Sequence, residues 1–433
     1  MHNPGTETSS TVPAQARPAA GPHAAATGRS QSRIHTFASL RHADFRLLFM
    51  STFFSAAAQW VQQITLGWLV YHLTGSELLL GALSGVRAVP FLLAGPLGGV
   101  AADRFNRKRL LIGTQILLAV SAFVFALDVA LDYVAVWHIF VFAAVSGIGW
   151  AFNQPVRQSV VPSLVPRQDI MNAVALTSIS FNINRILGPT VGGLLLASVG
   201  VSVNFFLQSA LCVAFVLMLW PVKIPANKPE DARRSMAGGL MEGLRYVRHD
   251  QGVLSQLLLS LVPTLLIMPY SAMLPAYAKT VLNVGPQGLG FLYAAVGVGA
   301  VLGTLTLASL GNVAHKGWLL LAAAGLSSSC LVLLGLSHYL PLSLAALFGL
   351  GVGQVMFNST NNAIIQLETP ENYRGRVLSL YHTNHGVQPA GTFLIGGLAE
   401  SFGVSGVEVV AGVLALGLTG SVALAFRRVR ERR

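Results

Sequence analysis

Three arginines stand where a cation is expensive. Arg87, Arg157 and Arg185 each fall inside a long apolar run, and an Arg at the centre of a membrane helix costs roughly 2.5–3.5 kcal/mol on insertion scales. Such residues mark substrate or ion pathways by default. Arg185 lies deepest and Arg87 near the middle of its run. Arg157 is close enough to one end for its stem to carry the charge to the membrane surface. Polar groups recur around these cations at helical spacing. Trp150, Asn153, Gln154 and Arg157 follow i, i+3, i+4, i+7, so these polar groups share one helix face. Gln354, Asn358, Asn361 and Asn362 make a second stripe, and Gln59, Gln62 and Gln63 a third. Amides are costly in hydrocarbon and must face other helices or water. For a single Asn or Gln, a hydrogen bond to a neighbouring helix is the commoner arrangement. Three stripes together point to the wall of a substrate cavity.

The acids are placed differently. All 16 Asp and Glu fall in the tail, in loops or at helix ends, with none clearly at the membrane centre. A buried carboxylate is the usual proton carrier of a pump. Here the candidates are instead His382 and His385, since His titrates near neutral pH; a hydrogen-bonded, packed pair is the competing arrangement. Cations without buried anions favour an anionic or acceptor-rich substrate over a cationic one. Enzyme chemistry has no foothold: no Ser/His/Asp set, metal-ligand cluster or phosphate loop converges, and no nucleophile has an adjacent base. Neither metal nor cofactor is expected. Cys212 and Cys330 both sit in apolar runs, where they serve as small packing residues.

The elements that hold these residues are membrane helices. Of 433 residues 53% are hydrophobic and 10% charged, with mean hydropathy +0.62; a soluble chain carries charge on about a quarter of its residues. Twelve apolar segments, from Phe45–Leu73 to Val404–Phe426, each approach the roughly 20 residues that a bilayer crossing needs. The expected class is an all-α membrane protein of twelve transmembrane helices in two pseudo-symmetric six-helix bundles. The expected division is a disordered cytoplasmic tail over 1–40, a bundle over 41–221, a central cytoplasmic loop over 222–252, a second bundle over 253–427 and a basic tail over 428–433. The tail is rich in Ala, Pro, Ser, Thr and Gly and lacks apolar residues for a core. In the central loop Leu240, Leu244 and Val247 have the spacing of a short helix lying on the membrane surface. The formal charge of +12 invites a nucleic-acid partner, but the cations concentrate in alternate loops. Lys279 alone falls in an expected outer loop. The charge is an orientation signal, placing both termini on the cytoplasmic side of the plasma (inner) membrane. The expected partners are the lipid bilayer and a small-molecule substrate, with no nucleic acid and a monomeric state.

The halves repeat. Phe152-Asn153 recurs as Phe357-Asn358, Gly192-Gly193 as Gly396-Gly397, and Gly95/Gly99 as Gly299/Gly303, at offsets of 205, 204 and 204 residues. A near-constant shift across several helices is the mark of a duplication, and duplicated halves put a substrate site between them.

Gly99-x-x-x-Asp103-Arg104-x-x-Arg107-Lys108 resembles the loop between helices two and three of the major facilitator superfamily. Asn106 stands where that pattern has Gly; Asn is among the few other residues that tolerate a left-handed backbone. The resemblance implies that helices one, four, seven and ten line the cavity. It also implies a cytoplasmic latch in which Gly99, Asp103, Arg104, Arg107 and Lys108 take part, with Asp103 meeting the start of helix eleven near Arg374 and Arg376. Arg185-Ile-Leu-Gly188-Pro189-Thr-Val-Gly192-Gly193 resembles the helix-five signature of the superfamily's drug and metabolite exporters. Asn153-Gln-Pro155-Val-Arg157 and Glu242-Gly-Leu-Arg-Tyr-Val-Arg248 resemble its enterobactin-exporter branch. The implied activity is alternating-access export of a small molecule, an anionic, siderophore-like metabolite, coupled to protons. A broad or cationic multidrug antiporter and an importer share the same scaffold.

Overall fold

The computed structural model describes residues 38–225, 245–311, 315–370, 373, 377–378, 380–381 and 385–425; for residues 91–104, 182, 385 and 423–425 it describes the backbone alone. A chain in hydrocarbon must satisfy every backbone N–H and C=O within itself. The apolar runs accordingly form helices: α1 (Ala43–Thr74), α2 (Glu77–Arg104), α3 (Arg107–Ala130), α4 (Val136–Val160), α5 (Ile170–Val199) and α6 (Val201–Leu219), then α7 (Gln251–Val281), α8 (Pro286–Leu310), α9 (Lys316–Leu336), α10 (Leu340–Glu368), α11 (Gln388–Phe402) and α12 (Val404–Ala425). No strand occurs among the described residues. Among the described residues, eight helices are long and apolar enough to cross a bilayer, namely α3, α4, α6 to α10 and α12.

Helix ends explain the threading. At one end of the bundle the connections are tight. Gly75, Gly200 and Gly403 adopt φ of 64°, 92° and 76°, the region where only Gly escapes a Cβ penalty; we call this the turn end. The other, basic end carries Arg107–Arg109 and Arg167. There Asn106 is the N-cap of α3. Its side chain accepts from Arg109 N at 3.1 Å and its backbone is extended, with φ −64°. The left-handed tolerance expected of Asn106 is therefore not what it supplies; it supplies a cap acceptor. Asp250 caps α7 in the same way, accepting from Gly252 N and Val253 N. Of the expected surface helix, 245–249 is described and helical, and Val247 packs against Ile365 and Tyr381. Leu240 and Leu244 lie outside the described residues.

The packing repeats between halves. α1 lies on α5 and α6, α2 on α4, and α3 on α4 and α6. In the second half α8 lies on α10, and α9 on α10 and α12. Across the halves α5 meets α8 and α2 meets α11. Lipid removes the hydrophobic drive for association, so small residues and interhelical hydrogen bonds hold the helices. A Cβ on Gly299 would collide with Phe348 O, and one on Gly351 with Val296 O; α8 and α10 touch through backbone. Buried polar pairs add to this: Gln115 Nε2 donates to Ser55 Oγ at 2.8 Å, and Asn204 Nδ2 to Thr65 Oγ1 at 2.8 Å. α7 is the irregular member, with π turns at Pro263–Ile267 and Tyr277–Val281 and Pro275 between them.

Candidate substrate cavity

Between the halves lie two adjoining lobes that share Gln59, Gln63, Ser271, Tyr293 and Gln388. The first, of 330 Å³, is walled by α1, α2, α4, α7, α8 and α11 and includes Ser84, Arg87, Trp150 and Gln154. The second, of 420 Å³, adds α5 and α10 and includes Trp60, Phe181, Arg185, Tyr270, Gln354 and Asn358. Each lobe thus holds one arginine. Arg185 donates from Nη2 to Gln354 Oε1 at 3.0 Å, crossing from one half to the other. Arg87 lies close enough to the Tyr293 phenol for their charges to interact, and that phenol donates to Ser271 O at 2.5 Å. Neither arginine is paired with a carboxylate among the described residues.

The polar stripes divide between wall and scaffold. Gln59, Gln63, Trp150, Gln154, Arg185, Gln354 and Asn358 line the lobes. Gln62 does not. It is fully buried, donates to Ser146 Oγ at 2.7 Å and accepts from Trp150 Nε1 at 3.2 Å. Asn153 turns to α3 and donates to Thr114 Oγ1 at 3.2 Å. Asn361 faces Gln256 of α7, and Asn362 accepts from Gln366. Arg157 is only 5% exposed and donates to Gln154 Oε1 at 2.9 Å, so its charge stays among the helices and does not reach the membrane surface. A polar stripe is wider than the wall it feeds, and its edges bond to neighbouring helices.

Glycines close the turn end. A Cβ on Gly193 would lie 2.7 Å from Gly290 Cα and 2.9 Å from Pro286 O, so α5 and α8 touch backbone to backbone. Gly396 makes the matching approach to α2, where its Cβ would lie 2.7 Å from Glu77 O. Beside it Glu400 accepts from Ser76 Oγ at 2.9 Å and from Leu78 N at 3.0 Å. Gly188 and Gly192 serve a different contact, seating α5 on Trp60 and Ile64 of α1. Pro189 lies within α5, its carbonyl against Gly290. The hydrogen bonds and close approaches that cross between the described halves run from this end as far as Arg185.

At the basic end, α2 remains helical through Gly99, Asp103 and Arg104. Lys108 Nζ donates to Trp220 O at 2.6 Å, tying the loop to α6. Arg374, Arg376 and His382 lie outside the described residues, and His385 opens a 3-10 turn, His385–Val387. Sequence reasoning passed over the tyrosines of the wall, Tyr270 and Tyr293, because rings in apolar runs look like packing. It also placed Glu408 at a helix end. That carboxylate is 2% exposed, inside α12, so the second half does hold a buried acid.

A family described as transmembrane secretion effector matches residues 34–432 of the sequence. The staphyloferrin A transporter of Staphylococcus aureus is 26% identical over 382 residues, covering 86% of this chain and 94% of the relative. The enterobactin exporter EntS of Shigella boydii is 26% identical over 361 residues, covering 82% and 85%. Macrolide efflux protein A of Streptococcus pyogenes is 24% identical over 356 residues, covering 80% and 87%. In fold the chain is similar to the nucleoside transporter NupG, with TM-score 0.70 at 13% identity over 90% of this chain and 100% of that one.

Proposed function

The chain belongs to the transmembrane secretion effector family of major facilitator transporters, and from that premise we propose that it exports an anionic, acceptor-rich small molecule by proton-driven alternating access. One observation carries the substrate class: Arg87 and Arg185 sit in the cavity wall without carboxylate partners. An uncompensated cation there is costly, and a substrate anion offsets that cost while binding. Amides of Gln59, Gln63, Gln154 and Gln388 offer donors to acceptor groups, and the rings of Trp60, Phe181 and Tyr270 offer faces to a planar ligand. A catecholate siderophore has both features, which agrees with the named cargo of the enterobactin exporter.

Export is the direction in the names of two relatives. The basic loops put the basic end in the cytoplasm of a bacterial inner membrane, with both termini on that side. Contacts at the turn end then make this conformation inward-facing, open to cytoplasmic substrate. The halves, roughly 41–221 and 253–427, rock about the central site, and the loop of Asp103 and Arg107 latches the cytoplasmic side when it closes.

The test is uptake into inside-out vesicles of iron-free enterobactin and of the cationic macrolide erythromycin, with and without a proton gradient. Gradient-driven uptake of enterobactin, with Arg185→Gln lowering it strongly and Arg185→Lys rescuing it in part, supports the reading; Lys keeps the charge but loses the planar fork. Equal loss of a neutral and an anionic substrate in Arg185→Gln makes Arg185 a brace. Preference for erythromycin favours the second reading, a broad multidrug antiporter, to which the ring-lined wall and the macrolide relative point. Movement the other way makes the protein an importer.

A further inference from the structure

We propose that Glu408 is an occluded proton site of the transport cycle, a carboxylic acid that takes its proton from one face of the membrane and surrenders it to the other. This rests on the proton-driven transport put forward above. Among the described residues Glu408 is the one buried acid. Both carboxyl oxygens lie within the protein, and neither has a hydrogen-bond partner there. It occupies the second turn of α12 from the turn end, so it lies below the surface at that end and away from the cavity mouth.

Among the described residues its surroundings offer no compensating charge. α9 packs on the neighbouring face of α12 through Gly335, which meets Ser405 and Val409, and contributes Cys330, which points to Gly349 of α10. α11 contributes Glu400, already committed to Ser76 and Leu78. α7 contributes Tyr270, Tyr277 and, at its end, Lys279, whose ammonium goes to His72 at 3.5 Å and the Tyr71 ring. A bare carboxylate in such a place is expensive, and a carboxyl group there keeps its proton instead.

The two tyrosines give the site a door on each side. They are seven residues apart, two helical turns, and so share one face of α7. The two π turns and the segment between them pack on α12, which brings both phenols near Glu408. Tyr277 seals the turn end: its hydroxyl lies 2.6 Å from the carbonyls of Leu334 and Ser337, and Ser343 approaches it at 3.0 Å. Tyr270 seals the cavity side and is part of the lobe that holds Arg185. The segment Tyr270–Ala276 is bracketed by π turns, the irregularities that mark functional sites in helices. It is held on its other side by α1, with Gly67 against Pro275. When the turn end opens, α1 withdraws and that segment is free to shift. Exchange breaks the acid O–H bond; the electron pair stays on the carboxylate and the proton passes to water beyond whichever tyrosine has moved.

Infrared spectroscopy of the full-length protein in lipid tests occupancy without any substrate. The wild type is expected to show the carbonyl band of a protonated carboxylic acid at neutral pH. Glu408→Gln should lose it, and Glu408→Asp should retain it at a shifted frequency. In inside-out vesicles, Glu408→Gln should reduce gradient-driven accumulation of iron-free enterobactin to the level seen without a gradient, while gradient-free counterflow of the same probe persists. Retained counterflow also shows that the variant is folded. An unchanged band, or accumulation equal to wild type, in Glu408→Gln overturns the proposal. Wild-type transport indifferent to the gradient overturns the coupled-transport reading instead, and the infrared band then still decides whether Glu408 holds a proton.

Discussion

Adding one methyl group at Gly193 should push the protein out of the conformation described. The Cβ of Gly193→Ala would lie 2.7 Å from Gly290 Cα and 2.9 Å from Pro286 O. Carbon atoms settle at about 3.5–4.0 Å, so α5 and α8 must part by roughly 1 Å. Both obstacles are backbone, and no rotamer change can relieve them. Overpacking of this kind costs about 1–3 kcal/mol, borne only while the two helices touch at the turn end. The ratio of turn-end-open to turn-end-closed molecules should rise by about 5–150-fold. Spin labels at Tyr133→Cys and Tyr339→Cys read this directly, since both side chains are exposed beside turn-end loops of opposite halves; Cys212 and Cys330 are first replaced by Ala. The expected result is growth of a longer-distance population. Gly397→Ala is the control, because its Cβ would meet Leu78 Cδ1 at 3.6 Å, an ordinary contact. A Gly193→Ala distribution identical to wild type, or an equal shift from Gly397→Ala, would refute the reasoning.

Two further predictions separate wall from scaffold and test the opposite end. Gln62→Met should lower the thermal midpoint in detergent, since it strands Ser146 and Trp150 and membrane hydrogen bonds average about 0.6 kcal/mol each; Gln63→Met should leave the midpoint alone and alter transport, and the opposite pattern would reverse their assignment. Asp103→Asn should impair transport while membrane abundance, measured by quantitative blotting, stays at wild type; absence of the variant from the membrane would make the acid structural and end the latch role.

The helices were legible because membrane helices announce themselves by length and apolarity, and the expected Phe45–Leu73 and Val404–Phe426 differ from α1 and α12 by only a residue or two. The stripes on α1, α4 and α10 were legible as sets. Which members face the cavity was not, because the rotation of a helix about its axis is set by its neighbours. Gln62 and Gln63 are adjacent in sequence and about 100° apart on α1, and only the position of Ser146 on α4 decides which one is scaffold. Glu408 escaped for a related reason. Four residues from a helix start reads as an exposed end, and only the packing of α7, α9 and α11 around α12 buries it.

The three amides of α1 bear on how the protein is made. Gln59, Gln62 and Gln63 make α1, the first long helix among the described residues, a costly segment to hold in lipid alone. A segment of that kind leaves the insertion machinery for lipid reluctantly. Its natural companions are α5 and α6, the helices on which it packs, and 95 residues, 75–169, separate it from the first of them. Independent insertion of each helix in turn is therefore the costlier route for α1. Holding it at the machinery or at the lipid interface until α6, which is long and apolar enough to cross, arrives would spare those amides contact with lipid.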